Sequence, residues 1–265
     1  MPCGWCEYCP FSVQAECEDK KKMKNYLSFG GGVNSVALYL LMENLGMEFE
    51  AVFVNHGGDW PETYDYLQYF LATGRPVTVL EPEVNTVEKI IFNNLPAYCE
   101  HKAILPNRTN RWCTDRFKVR VVEAYIETPC FMHLGIDAGE SHRARLSPVA
   151  GRENRFLLIE HGIDRDGCKR LIADVGLDLP PKSGCWFCPY QGKAEFRLLR
   201  KKHPALFCRA QKLEEARNNR PEAQSGQWKP YYLCDIPLAD VIAGVDKQQG
   251  LPGMDADYPP CHCGL

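Results

Sequence analysis

The stretch Tyr26-Leu27-Ser28-Phe29-Gly30-Gly31-Gly32-Val33-Asn34-Ser35-Val36-Ala37-Leu38 constrains this chain more than any other. A short apolar run ends in a serine, passes through three glycines and opens a helix with apolar periodicity. Glycines let a backbone come close to a ligand and adopt positive φ. The helix start behind them offers unpaired N–H groups and the positive end of a dipole. Together they predict a strand–turn–helix unit whose turn, Gly30–Ser35, cradles a phosphate or pyrophosphate.

The surrounding pattern extends that unit into a sheet. Strands are predicted over Tyr26–Phe29, Glu50–Val54, Val77–Leu80 and Cys130–Leu134. Helices are predicted over Asn34–Leu45, Glu62–Thr73, Val87–Asn94 and Lys118–Ile126. Strands alternating with helices imply βαβ units, so the expected fold is α/β, a Rossmann-like parallel sheet with helices on both faces. Ligands of such sheets sit beyond the carboxyl ends of the strands. Gly30–Ser35, Asn55–Thr63 and Gly135–Arg145 each follow a predicted strand and should therefore face one crevice. The second half reads differently: helices over Asp166–Val175, Lys193–Lys202, Pro204–Asn218 and Leu238–Val245 surround a Cys-rich turn at Ser183–Tyr190, and Asn219–Pro230 reads as a loop. The expected organisation is a Cys-rich appendage over 1–23, an α/β nucleotide-binding domain over 24–165 and a Cys-rich helical region over 166–265.

A net charge of −3 provides no global basic field for nucleic acid. No run of about 18 apolar residues is present, so no membrane span is expected. The N-terminus lacks the apolar core of a signal peptide, and a cytoplasmic location is expected. Fourteen cysteines in a reducing compartment then read as metal or iron–sulfur ligands before disulfides. Cys185 and Cys188 form a C-x-x-C knuckle followed by Pro189, and two-residue spacing lets both sulfurs reach one centre. Cys113 lies among Arg111, Arg116 and Lys118, and nearby positive charge favours thiolate. Cys113 is the first choice for a third ligand, with Cys208 or Cys99 as a fourth. Cys3, Cys6, Cys9, Cys17, Cys261, His262 and Cys263 crowd the two termini, where a zinc knuckle would satisfy the four N/S ligands that zinc requires. Arg143 and Arg145 stand at the crevice rim, and guanidinium forks match phosphate geometry.

These segments in this order resemble the adenine nucleotide α-hydrolase (PP-loop) superfamily, and within it the phosphoadenosine phosphosulfate reductase-like family. Ser28–Ser35 is similar to its pyrophosphate-binding loop. Asn55–Thr63 is similar to its second motif, with Pro61-Glu62-Thr63 in place. Arg111–Lys118 is similar to its cysteine-plus-basic segment, Gly135–Arg145 to its Glu-Ser and arginine segment, and Lys182–Tyr190 to its late Cys knuckle. The likeness covers about residues 24–210 and is greatest to a branch common in phage and bacterial genomes.

The resemblance implies an enzyme that binds ATP or a related adenylyl nucleotide with Mg2+. Ser28, Gly30, Gly31, Gly32, Asn34, Ser35, Asn55, Glu62, Arg116, Lys118, Glu140, Ser141, Arg143 and Arg145 would hold the nucleotide. It implies a [4Fe–4S] cluster on Cys113, Cys185 and Cys188, completed by a residue such as Cys208 or left with one open iron. Apart from the resemblance, the clustering of the terminal cysteines points to structural zinc on Cys3, Cys6, Cys9, Cys261 and Cys263. The implied reaction is adenylylation-coupled sulfur transfer to a nucleic acid or small molecule, with Cys113 and Arg143 catalytic. Thioredoxin-dependent reduction of phosphoadenylyl or adenylyl sulfate is the alternative, and there Cys263, in the terminal His262-Cys263-Gly264-Leu265, would act. A homodimer is a further expectation.

Two departures from the family stand out. Asn34 replaces the usual aspartate of the loop, and Trp112 precedes Cys113 where the iron–sulfur reductases carry a second cysteine. A reading of another class is a non-catalytic, metal-stapled module binding nucleic acid or a partner through Lys20–Lys24, Arg197–Lys202 and the aromatics Trp186, Phe187 and Tyr190.

Overall fold

The computed structural model describes residues 23–243. The terminal cysteines Cys3, Cys6, Cys9, Cys17, Cys261 and Cys263, and most of the expected N-terminal appendage, lie outside the described residues.

Strand β1 (Lys24–Ser28) lies at the centre of a five-stranded sheet with β2 (Glu50–Val54), β3 (Thr78–Leu80), β6 (Cys130–Leu134) and β7 (Arg152–Arg155). The order is β3-β2-β1-β6-β7 and every pairing is parallel. Side chains alternate across the strands, so the sheet buries two apolar faces. Leu27, Ala51 and Phe53 face one core, shared with α1 (Val33–Asn44), α2 (Pro61–Ala72) and α5 (Arg165–Asp174). Tyr26, Val52, Val54, Met132 and Leu134 face the other, where Val122 of α4 (Arg120–Tyr125) and Ile126 cover them. The fold is thus α/β and Rossmann-like, with helices on both faces.

Helix α1 is buried continuously from Val33 to Met42, because the sheet lies on one side and Cys168 and Ile172 of α5 on the other. A helix covered on all sides needs an apolar surface on all sides, which explains the run Val-Ala-Leu-Tyr-Leu-Leu-Met. Helix α2 begins with Pro61, whose missing N–H costs nothing in a first turn, and Glu62 there meets the positive dipole end. Its Phe70 is fully buried, with ring centroids 5.1 Å from Phe29 and 5.0 Å from Tyr39.

A second core joins the segment after β3 to the C-terminal helices α6 (Lys193–Lys202), α7 (Pro204–Asn218) and α8 (Leu238–Ala243). Leu95, Tyr98 and Phe117 meet Trp186, Phe187, Phe196, Phe207 and Leu213 there. The core therefore draws on chain from both sides of residue 165.

One local expectation is corrected, and other elements were not foreseen in the sequence. The segment expected as a helix over Val87–Asn94 is a small hairpin, β4 (Val84–Asn85) with β5 (Ile91–Phe92). Its helically spaced Val87 and Ile91 find no surface to cover and stay exposed, while Lys89 takes φ +62° at the turn. Helix α3 (Leu95–Lys102) starts only after this hairpin, capped by the Asn94 side chain, which accepts from the Ala97 amide at 2.9 Å. Strand β7, Arg-Glu-Asn-Arg, carries no apolar residue and pairs along β6 through the backbone ladder, with the Arg155 guanidinium over the Phe131 ring. The helical run 112–125 contains a π-helical turn, Asp115–Val119, ahead of α4. No helix among the described residues is long and apolar enough to cross a membrane.

Phe70→Ala removes a fully buried ring from a three-aromatic contact and is expected to lower stability by about 3–5 kcal/mol, read as a lower urea midpoint.

Candidate active site

The strand order reverses at β1. From there the chain moves outward to β2 and β3, then returns to place β6 on the other side of β1. Loops leaving the carboxyl ends of β1 and β6 consequently diverge and leave a crevice between them. A cavity of about 150 Å³ occupies that position. Ser28, Gly30, Gly32, Asn34 and Ser35 line it from the β1 side, Gly135, Ile136, Glu140 and Arg143 from the β6 side, and Arg165 from the start of α5.

Local chemistry shapes both walls. Gly31 takes φ +67°, a region that favours glycine, so the loop turns sharply into α1. Ser35 Oγ accepts from the Gly32 amide at 3.2 Å and closes the first turn. At Gly135 an added Cβ would stand 3.0 Å from the Ser35 amide nitrogen, so the two loops approach at a distance only glycine allows. The loops are also bonded: the Asn34 side-chain amide donates to Asp137 Oδ2 at 2.9 Å, and Asn34 Oδ1 accepts from Arg165 at 2.8 Å. Asp137 is itself buried and caps the 3-10 turn Ala138–Arg143 by accepting from the Glu140 amide. Arg143 donates to both carboxylate oxygens of Glu140 at 2.8 Å.

The far wall is the segment Pro181–Gly184 ahead of the Cys knuckle. It is fixed to the segment after β2: the Trp60 amide donates to Gly184 O at 3.0 Å, the Trp186 amide donates to Gly58 O at 2.9 Å, and Asp59 and Cys185 form an antiparallel bridge between them. The thiols of the knuckle thereby stand beside the cleft.

Asp59 and Lys118 both line the cleft and join it to the thiols. Burial by itself would raise the Asp59 carboxyl, but His56, Lys118 and the hydrogen bond from His56 outweigh it and hold it far below the usual carboxylate range. His56 Nε2 lies 3.4 Å from Asp59 Oδ2 and 3.8 Å from Cys185 Sγ. Burial works against the Lys118 ammonium, yet Asp59, followed by Cys185, Cys113 and Cys188, keeps its pKa above the ordinary lysine value. The three thiols are pushed up, chiefly by burial, and in Cys185 further by Asp59.

The donor atoms of His56, Asp59 and Cys185 lie within 4.8 Å of one another, close enough for one ion. The tautomer argues against that use. The Gly58 amide donates to His56 Nδ1 at 3.1 Å, so in the neutral ring Nε2 carries the hydrogen and donates toward Asp59. A ligating histidine has the reverse arrangement, with its second nitrogen donating.

Other residues proposed from sequence stand away from this cavity. Asn55 accepts from the Gly57 amide and shapes the turn after β2. Glu62 pairs with His203 at 3.0 Å and Lys202 at 3.2 Å, tying α2 to the α6–α7 junction. Arg116 donates to the Tyr98 hydroxyl and lines a separate groove with Lys102, Arg120 and Tyr125. Arg145 donates to the backbone oxygens of His142 and Ala144, and Ser141 is exposed outside the cleft lining. Cys208 is exposed on α7, whereas Cys99 is fully buried. Trp186 and Phe187 are interior, so neither can stack on a base, and only Tyr190 retains exposure, under the Arg108 guanidinium. The sequence does not single out Asp59, Asp137 and Lys182, although each lies inside a segment that it flags, 55–63, 135–145 and 182–190; Arg165 lies in none of them and carries no sequence signature of its own.

The fold and the cleft define an α/β protein with an anion-suited crevice at the switch point of a parallel sheet. No family model matches the chain. It is 23% identical over 207 residues to an uncharacterised protein of Methanocaldococcus jannaschii, a match covering 70% of this chain and 47% of that protein, so the chain spans about half the length of this relative. A solved phosphoadenylyl-sulfate (PAPS) reductase from Candida auris, in a phosphate complex, is similar with a TM-score of 0.48 and 13% identity, covering 65% of this chain and 86% of that one. Neither similarity assigns an activity here.

The depressed Asp59 pKa has a consequence for stability. A carboxylate whose folded pKa is lowered stabilises the fold above its unfolded value, near 3.8, and loses that contribution as pH falls through and below it. The urea midpoint of the wild type is expected to fall more steeply below pH 4 than that of Asp59→Asn; parallel profiles would refute the coupling.

Proposed function

We propose that this chain is a PP-loop enzyme of the phosphoadenosine phosphosulfate reductase-like type. It binds ATP or a related adenylyl nucleotide in the β1/β6 crevice and uses it to activate an acceptor for sulfur transfer. The observation that carries this reading is the continuity of cleft and thiols: Lys118 lines the cleft and is also the cation faced by Cys113, Cys185 and Cys188.

In the proposed reaction an acceptor oxygen attacks the α-phosphorus and pyrophosphate leaves. A sulfur nucleophile then displaces AMP from the adenylylated acceptor. Charge that develops on the phosphoryl oxygens would be met by backbone N–H groups of the Gly30–Ser35 loop and by Arg143, both of which line the cleft. Lys118, at the thiol end of the cleft, would stabilise the departing AMP or the incoming sulfur. Magnesium would enter on the nucleotide's phosphates, because both carboxylates lining the cleft are engaged, Glu140 by Arg143 and Asp59 by His56.

An iron–sulfur cluster suits the donor set in part. Cys113, Cys185 and Cys188 would hold it, and a position not ligated by cysteine would remain, since Cys208 is exposed on α7. Such a centre would supply a soft site for sulfide. The terminal cysteines Cys3, Cys6, Cys9, Cys261 and Cys263 are proposed as zinc ligands that staple the ends of the chain. A nucleic acid is the proposed acceptor class, and a homodimer in the cytoplasm the proposed working form.

Anaerobically purified protein is expected to be brown, with broad absorption near ~400 nm that Cys185→Ser removes. Incubated with ATP and bulk RNA it is expected to release AMP and pyrophosphate, and Lys118→Gln should slow this by roughly a hundredfold. A colourless, zinc-only protein would end the iron–sulfur version. Nucleic-acid binding without AMP or pyrophosphate release would favour the non-catalytic module.

A further inference from the structure

Four cations line the cleft among the described residues: Lys118, Arg143, Arg165 and Lys182. Three of them face a carboxylate. Arg143 pairs with Glu140, Lys182 with Glu195, and Lys118 faces Asp59. Arg165 differs. It donates to the neutral oxygen of Asn34 at 2.8 Å. Its neighbour Asp166 is committed to Lys169, and among the described residues no carboxylate lies within ion-pair distance of Arg165.

We propose that Arg165 is an anion-binding residue of this cleft that takes a phosphate group of the nucleotide, and that Asn34 is the positioning residue that aims it without cancelling its charge. The proposal rests on the nucleotide reading above and deepens it.

The chemistry of position 34 supports both roles. An amide has a donor end and an acceptor end, and here each has its match: the NH2 group donates to Asp137 Oδ2, and the oxygen accepts from Arg165. A carboxylate at position 34 would face the Asp137 carboxylate at hydrogen-bond distance with no proton between them, a repulsive contact beside a buried charge. It would also neutralise Arg165. Asparagine removes both effects, so the departure from the usual aspartate adds one net positive charge to the loop. One bond to Asn34 leaves most of the five guanidinium donors available, in a fork that matches phosphate oxygens. The guanidinium stands against the first turn of α1, and Gly30, Gly32, Asn34 and Ser35 line the same cavity. Arginine then supplies positive charge that a metal ion would otherwise have to bring, and phosphate binding should not require a divalent cation.

The test is calorimetric titration of the full chain with ATP and with inorganic pyrophosphate, first in EDTA and then with Mg2+. Wild type is expected to bind both ligands in EDTA. Arg165→Gln should weaken binding roughly tenfold or more, the loss expected for a charge-assisted bond to an anion, and should flatten its dependence on salt. Arg165→Lys, which keeps the charge but not the fork, should recover part of the loss. Asn34→Asp should weaken binding in the same direction, with the same flattening, although Arg165 is still present. If Arg165→Gln does not fold, the other two variants carry the comparison. Equal affinity of wild type and the Arg165 variants would overturn the proposal and leave the nucleotide reading standing. So would wild-type binding seen only with Mg2+. Absence of binding by wild type under both conditions would overturn the two together.

Discussion

The cleft depends on one interaction, the hydrogen bond from the Asn34 amide to Asp137. These residues are 103 positions apart, one in the loop after β1 and the other in the loop after β6. Parallel pairing of β1 with β6, with Ser28 opposite Leu134, brings the two strand ends together. Pairing alone does not fix the loops that leave them. The close approach at Gly135 permits contact, and the Asn34–Asp137 bond specifies it. Asp137 then caps the turn that carries Glu140 and Arg143, so the same carboxylate sets the β6 side of the cleft. Arg165 joins through the other end of the Asn34 amide. A single side chain thus aligns three segments around one cavity.

Much of the sheet was legible in sequence because its central strands are buried on both faces. A strand such as Ala51-Val52-Phe53-Val54 must be apolar throughout, and a continuous apolar run bounded by turns is a strong signal. Helices α6 and α7 were equally clear, each ended or opened by a residue of fixed meaning such as Pro204. The edge gave no such signal. Strand β7 is held by backbone bonds to β6, and its arginines and glutamate suit an exposed edge, where charge discourages further pairing. The Val87–Ile91 stretch carried helical spacing but no matching surface in the tertiary structure, so periodicity misled there. The π turn at Asp115–Val119 has no sequence rule, yet it decides where Lys118 and Arg116 end up. Lys118 lines the cleft, while Arg116 lines a different groove.

The site divides along the same line. The glycine loop and the Cys knuckle could be found because backbone geometry and sulfur spacing are local properties. Arg165 could not, since it opens a helix that is otherwise ordinary and acquires its meaning from Asn34, 131 positions earlier. Glu62 illustrates the converse. Its place in a Pro-Glu-Thr segment suggested a ligand contact, but the carboxylate is taken by His203 and Lys202, and its service is to hold α2 against the α6–α7 junction.

The joining of cleft and thiols follows from where the knuckle is anchored. Residues 58–60 and 184–186 form one hydrogen-bonded pair of segments, so the loop that follows β2 is tied to the turn that carries Cys185. Asp59 belongs to the first, Cys185 to the second, and Lys118 answers to both. Any change of charge in the cleft is therefore felt at the thiols through the buried Lys118, since buried charges are screened much less than exposed ones. An anion entering beside Lys118 would compete with the thiols for its charge. The charge that occupies the cleft and the acidity of Cys113, Cys185 and Cys188 are in consequence linked through Lys118.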